Sequence, residues 1–313
     1  MKTSILLAVL LLGLLVQGKA QLLPYLANHQ SNSFWTNPAI PANHRIINPG
    51  TGEFDYKHVA GITYRDQWWN FGDFRPRTST AHYQRYFSPT DYGVDYWAGG
   101  YLFNDRIGPS SLTGAYTTVS AHRDLGHNQH LYAGLSLGIE QFSVKTSNLI
   151  TADPNDGTLL QQERTEFHLD PGLGVFYTNQ VYYLGFSMPK IIGVSANGSR
   201  ERLNHYYFLF GTTLEGKIGP FRSIEPYLWL QIVRNAAARM DMNVKAEFRT
   251  RTPMWITLGL DNTVAVHWHY GIIFPTNEGK QDLKITVGYD NRVTLMSQLG
   301  GGLEVSLAWL MRR

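Results

Sequence analysis

Met240-Asp241-Met242-Asn243-Val244-Lys245-Ala246-Glu247-Phe248-Arg249 alternates between apolar and polar side chains without a break. Successive side chains of a strand point to opposite faces, so Met240, Met242, Val244, Ala246 and Phe248 share one face and the charged and amide groups share the other. A charge at the bilayer midplane costs about 2–4 kcal/mol, so Asp241, Lys245, Glu247 and Arg249 require water or a polar lumen. The apolar face requires something else to lie against.

The same period governs most of the chain. In residues 131–141, Leu131, Ala133, Leu135, Leu137 and Ile139 oppose Tyr132, Gly134, Ser136, Gly138 and Glu140. Leu283, Ile285, Val287 and Tyr289 alternate with Lys284, Thr286, Gly288 and Asp290, and Leu303, Val305, Leu307, Trp309 and Met311 with Glu304, Ser306 and Ala308. Weaker candidates at 56–64, 78–87, 95–104, 111–121, 168–178, 181–188, 205–215, 224–233, 253–261 and 263–273 bring the expectation to about fourteen strands. An even count of roughly ten-residue strands is what a bacterial outer-membrane barrel requires, and it uses up residues 54–313. The expected fold is therefore all-β, a single transmembrane antiparallel β-barrel. A soluble β-sandwich shows similar alternation, but long, evenly spaced strands with aromatics near their ends favour the barrel.

Composition agrees. The chain has 15 Phe, 8 Trp, 18 Tyr and 30 Gly, as aromatic girdles at two membrane interfaces demand. Mean hydropathy is −0.23, with no apolar run long enough for a spanning helix after the N-terminus. There is no cysteine, which removes a lipidated cysteine, disulfides and thiolate metal sites together. A net charge of +3 without a Lys/Arg cluster gives no sign of nucleic acid.

Residues 1–20 carry Lys2, an apolar run and Gly18-Lys19-Ala20, the pattern of a cleaved signal peptide. Residues 21–53 lack alternation and are expected to form a periplasmic arm or lumen plug. Breakers at Ser88-Pro89-Thr90-Asp91, Asp153-Pro154-Asn155-Asp156-Gly157, Asn197-Gly198-Ser199, Pro275-Thr276-Asn277-Glu278-Gly279 and Gly300-Gly301-Gly302 mark expected turns, and residues 145–166 a long loop.

Few residues suggest chemistry. His267 and His269 share a strand face but lack a third ligand, so they are expected to be polar lumen fillers and not a metal site. His122, His127 and His130 flank a turn and are expected to be solvated. No nucleophile elbow, Walker loop, zinc-protease motif or dinucleotide fingerprint occurs, so no catalytic residue, cofactor or metal is assigned. The densest segment is Tyr64-Arg65-Asp66-Gln67-Trp68-Trp69-Asn70-Phe71-Gly72-Asp73-Phe74-Arg75-Pro76-Arg77-Thr78. Its Trp and Arg residues suit an interfacial belt, a protein-binding loop or an inward-folded constriction.

At this segment the sequence resembles the PorP/SprF family of type IX secretion and gliding motility in Bacteroidota. Asn37-Pro38-Ala39, Tyr64-Arg65-Asp66-Gln67-Trp68 and Pro76-Arg77-Thr78 carry the likeness. In order follow Gly99-Gly100, Asp105-Arg106-Ile107-Gly108-Pro109, Leu135-Ser136-Leu137-Gly138, Gly172-Leu173-Gly174-Val175 and Tyr183-Leu184-Gly185-Phe186-Ser187. His205-Tyr206-Tyr207, Asp241-Met242-Asn243, Gly288-Tyr289-Asp290 and Glu304 complete it. Leu260-Asp261-Asn262 replaces an aromatic-Arg pair usual in the family, and Gly302-Leu303 replaces Ser-His. The resemblance implies a non-enzymatic outer-membrane barrel that binds and anchors, or helps export, a surface adhesin or secreted cargo. Implied partners are the cargo's C-terminal signal domain, a periplasmic peptidoglycan-binding protein and outer-membrane lipid. Tyr64, Arg65, Gln67, Trp68, Trp69, Arg75, Pro76, Thr78, Asp105, Asp241 and Asn243 are the expected contact or support positions. A passive porin for small solutes and an outer-membrane lipid hydrolase are the alternatives from other classes.

Overall fold

Alternating segments can satisfy their backbone groups without water only by pairing into a ring. The computed structural model of the protein describes residues 26–29, 32–41, 56–87, 93–145, 164–179, 181–191, 194–195, 205–233, 237–262, 264–276, 280–292 and 298–312. The strands are β1 (Tyr56–Gln67), β2 (Arg77–Phe87), β3 (Val94–Ile107), β4 (Ser110–Gly126), β5 (Gln129–Val144), β6 (Arg164–Thr178), β7 (Tyr182–Lys190) and β8 (Val194–Ser195). They continue as β9 (His205–Thr212), β10 (Leu214–Ile218), β11 (Phe221–Val233), β12 (Arg239–Phe248), β13 (Met254–Asp261), β14 (Ala265–Thr276), β15 (Gln281–Arg292) and β16 (Gly302–Arg312). Neighbours pair antiparallel in chain order, and β1 pairs β16, with Val59 opposite Leu310 and Thr63 opposite Ser306, to close the ring.

Two staves of the ring are interrupted. β7 and β8 both lie along β6, and β9 and β10 both lie along β11, so these segments build a closed barrel of fourteen staves. Proline explains the position of both breaks, because it cannot donate to a ladder. Pro171 pairs with Leu137 on its β5 side, and on the other side falls between the residues that pair β8 and those that pair β7. Pro226 pairs with Val244, and on its other side falls between Ile224, which pairs β10, and Tyr227, which pairs β9.

The burial pattern is that of a soluble protein turned inside out. Arg65, Glu140, Asp170, Asp241 and Glu304 are buried on the inner face, while Leu135, Leu102 and Ile62 on the outer face are 67%, 60% and 57% exposed. An outer wall of Leu, Ile, Val and aromatic residues lies against lipid and not water, which excludes the soluble sandwich. Among the described residues no helix is long and apolar enough to cross a membrane.

Some expectations change. Pro275 and Thr276 are not in a turn but end β14, opposite Asp282 and Gln281, since the proline occupies a strand end where its missing N–H costs little. Gly302 opens β16, and Glu166 belongs to β6. His122 and His130 are not solvated: β4 and β5 outrun their expected lengths, so only His127 sits in the turn, at φ 54°. Both buried imidazoles face inward, 3.1 Å apart, and His122 Nδ1 lies 3.0 Å from Asp95. The signal peptide at 1–20, residues 21–25, 30–31 and 42–53 of the N-terminal stretch, residues 146–163 of the expected long loop, and the expected turns at 88–91, 153–157, 197–199 and 277–279 lie outside the described residues.

The outer face sets a first prediction. Leu135→Arg will weaken insertion into lipid vesicles by about 2–4 kcal/mol. Equilibrium folding titrations followed by heat-modifiable gel mobility will measure it.

A peptide seated in the lumen

Residues 26–29 and 32–41 lie inside the ring. Their side chains and backbone touch inward-facing groups from β1, β2, β3, β4, β6, β7, β11, β12 and β16, which no position outside the barrel could do. Leu26, Phe34, Trp35, Ala39 and Ile40 form one buried apolar cluster with wall residues that include Trp97, Tyr101, Phe103, Tyr116 and Tyr132. Trp35 packs against Tyr101 and Phe103, and Phe34 against His82, at centroid distances of 4.3–5.1 Å.

The lower part of the segment is held by shape. Ser120, Gly134, Gly174 and Ser187 stand side by side in register across β4, β5, β6 and β7, a row of four small inner-face residues. The peptide runs along this row from Ser187 to Ser120. Ser187 Oγ donates to Thr36 O (2.6 Å), and Ser120 Oγ donates to Ala39 O (2.8 Å). A Cβ on Gly174 would stand 2.0 Å from Asn37 Oδ1, and one on Gly134 2.3 Å from the Pro38 and Ala39 backbone, so only glycine fits. Asn37 Nδ2 donates to both Val175 O (3.2 Å) and Phe186 O (3.3 Å), and its Oδ1 accepts from Ala39 N (2.9 Å). An amide is the side chain that can do both. Pro38 brings no N–H that would need a partner.

The upper part is held by charge. Glu304 accepts from Ala27 N (2.7 Å), Asn28 N (3.2 Å) and Asn32 Nδ2 (3.3 Å). Arg65 donates to Glu304 (3.1 Å) and to Asp290 (2.7 Å), so the guanidinium balances the carboxylate that grips the peptide. His29 stacks on Trp229 at 4.3 Å and lies 2.9 Å from Asp241, which also pairs Arg239. Arg239 reaches on to Asp261 at 2.8 Å, the residue that stands where the resemblance leads one to expect an aromatic-Arg pair.

The expected contact or support residues divide into two sets. Arg65, Thr78, Asp105, Asp241 and Asn243 are buried on the inner face. Thr78 donates to Asp105 (2.6 Å), and Asn243 Oδ1 meets His267 at 2.7 Å. Tyr64 and Trp69 are exposed on the outside, with Arg75 and Arg77 ion-paired to Asp66 nearby. Between the sets, Gln67 N donates to Pro76 O (3.0 Å), and Trp68, at φ 58°, donates from its backbone to Gly301 O (2.8 Å). The 3-10 turn of Trp69–Phe74 therefore stands on the rim, clamped to the connection before β16. Alternation could place Asp241 and Asn243 on a polar face, but the glycine row escapes sequence reading because its members meet only through strand register.

A family model described as the type IX secretion system membrane protein PorP/SprF matches residues 19–309. The chain belongs to the PorP/SprF family. It is an outer-membrane β-barrel, and its family and fold are those of a secretion-system membrane protein, not of a known enzyme class. Among solved structures it is similar to a deltaS2 mutant of the TodX monoaromatic hydrocarbon channel (TM-score 0.54, 6% identity, 90% of this chain and 94% of that one). It is also similar to the Pseudomonas putida toluene transporter TodX (0.50, 7%, 94% and 96%) and to the CymD monoaromatic hydrocarbon channel (0.50, 9%, 88% and 94%). At such identities the likeness concerns the fold alone. No curated protein matches the sequence.

The geometry explains why the PorP/SprF motifs are spread over the chain. Asn37-Pro38-Ala39 is the seated peptide, Gly174 and Ser187 belong to its seat, and Arg65, Asp290, Glu304 and Asp241 form its upper clamp. In this PorP/SprF-family barrel an Ala39→Cys/Ser120→Cys pair will cross-link on mild oxidation in outer membranes. Adding Gly174→Val will abolish the cross-link, read by the cysteine-dependent shift in gel mobility. Arg65→Met leaves Glu304 and Asp290 uncompensated and will destabilise the barrel by about 3–5 kcal/mol in denaturant titrations.

Proposed function

We propose that this barrel holds a protein at the outer membrane and does not pass solutes, with the segment around residues 26–41 serving as a resident plug. The filled lumen carries this reading: the peptide and the wall share one buried aromatic cluster, where a porin keeps a water-filled channel. Family membership supports work alongside other components of the type IX machinery. The bound protein is a secreted cargo or surface adhesin recognised through its C-terminal signal domain. A periplasmic peptidoglycan-binding protein serves the other side, and gliding motility is the process such a cargo would serve. The mechanism is binding, with no catalytic residue, cofactor or metal, and export follows from a signal peptide at residues 1–20.

The exposed rim supports a site for the cargo. Trp69, Phe71 and Phe74 are 43–45% exposed on a turn clamped by Trp68 and Gly301, and rigid aromatics make strong anchors because little entropy is lost on binding. The buried members of the candidate set, Arg65, Thr78, Asp105, Asp241 and Asn243, then act as supports that keep rim and plug in place.

The deciding experiment is recovery of the epitope-tagged chain from gently solubilised outer membranes, with mass spectrometry of what accompanies it. A large secreted protein or a peptidoglycan-binding protein is expected, and Trp69→Ala/Phe71→Ala will lower cargo recovery with the barrel still heat-modifiable. The barrel alone, under conditions that preserve other complexes, would overturn the anchoring role. In planar bilayers the intact chain will be nearly closed, and removal of residues 26–41 will raise its conductance; an open intact chain would restore the porin.

A further inference from the structure

The outer wall of β1–β4 changes character over two steps in register. Ile62, Ala81, Leu102 and Ala115 stand side by side, an apolar row suited to hydrocarbon. Two residues nearer the β1–β2 rim the row is Tyr64, Ser79, Asn104 and Thr113, and two further it is Asp66, Arg77, Arg106 and Ser111. Each step is about 7 Å along a strand, so charge appears at the depth of lipid headgroups. The neighbouring aromatics mark the same level: Trp69 packs on outward-facing Tyr289, which packs on outward-facing Trp268.

The charges in the upper row do not balance. Asp66 holds Arg75 (2.9 Å) and Arg77 (3.8 Å), while exposed Arg106 has no ionic partner among the described residues. Arg77 and Arg106 stand directly opposite each other on neighbouring strands, and like charges so placed repel. Asp66 pairs two of these guanidinium groups and leaves that of Arg106 unpaired among the described residues, so the row is short of an anion. Arg85, on the same wall near the other membrane face, differs: it opposes Ala98 and lies over the Phe87 ring at 5.0 Å, an ordinary interfacial arginine.

We propose that Arg77 and Arg106, with Arg75 beside them, bind a phosphate group of an outer-leaflet glycolipid. The guanidinium fork matches phosphate oxygens, and a phosphate between the two arginines turns their repulsion into shared attraction. The rim lies at the end of the barrel that carries the long connections, the outside end in barrels of this class. The hydroxyl and amide groups of Ser79, Asn104, Ser111 and Thr113 flank the site at the level of the headgroup sugars, where Asn104 Nδ2 already donates to Ser111 (3.1 Å) and Thr113 (2.7 Å).

The test uses the full chain in phosphatidylcholine nanodiscs doped with lipid A or with dephosphorylated lipid A, followed by native mass spectrometry of the released protein. Wild type and Arg85→Gln are expected to retain lipid A and not its dephosphorylated form, with inorganic phosphate failing to displace it. Arg77→Gln/Arg106→Gln is expected to lower lipid A affinity about a hundredfold, roughly tenfold for each of the two charge-assisted hydrogen bonds lost. Heat-modifiable mobility confirms that each variant is folded, and single Arg106→Gln replaces the double variant if that fails to assemble. Equal retention by the arginine variant, equal retention of dephosphorylated lipid, or displacement by free phosphate would each overturn the site.

Discussion

Closing fourteen staves into a ring removes every strand edge and, by doing so, creates a lumen whose polar wall needs either water or partners. Backbone groups of the wall are satisfied by their neighbours, but inner-face carboxylates such as Asp241 and Glu304 are buried and depend on partners inside. The N-terminal peptide provides them. Its backbone amides meet Glu304, its His29 meets Asp241, and its Phe34, Trp35 and Ile40 bury against wall aromatics. Wall and peptide therefore share one core, and each is incomplete without the other.

The arc that seats the peptide is also the arc with interrupted staves. Pro171 is in β6, whose Gly174 takes Asn37, and the β7/β8 break lies beside it. A proline at that point removes a ladder bond where β6 meets this stave, so part of the cohesion between β6 and β7 passes to the peptide, as when Asn37 bridges Val175 O and Phe186 O across the two strands. Asn-Pro-Ala thus works as a cross-strand clasp. The rim follows a similar logic: the left-handed Trp68 turns the chain outward, and its hydrogen bond to Gly301 ties the β1–β2 connection to the strand that closes the ring.

Much of this is legible in the sequence. Lipid on one side and a crowded lumen on the other impose the same period of two, so residues 131–141 and 240–249 declare both faces by alternation alone. The histidines show where this fails. His122 and His130 lie beside Gly126-His127-Asn128, and turn chemistry suggested solvent, yet the strands run on and carry both imidazoles inward. Pro275 misled for the opposite reason, since a strand end tolerates a residue that normally marks a turn.

The sequence by itself determined an outer-membrane barrel of about fourteen strands and the face on which each clear residue lies, because alternation is a local property and needs no knowledge of neighbours. Only the tertiary structure decided that Ser120, Gly134, Gly174 and Ser187 form one row, that Arg65 answers Glu304 across the closing seam, and that Arg77 faces Arg106. Those relations depend on register between strands far apart in the chain. A slip of one residue would send every side chain to the other face while leaving the alternation of each strand unchanged.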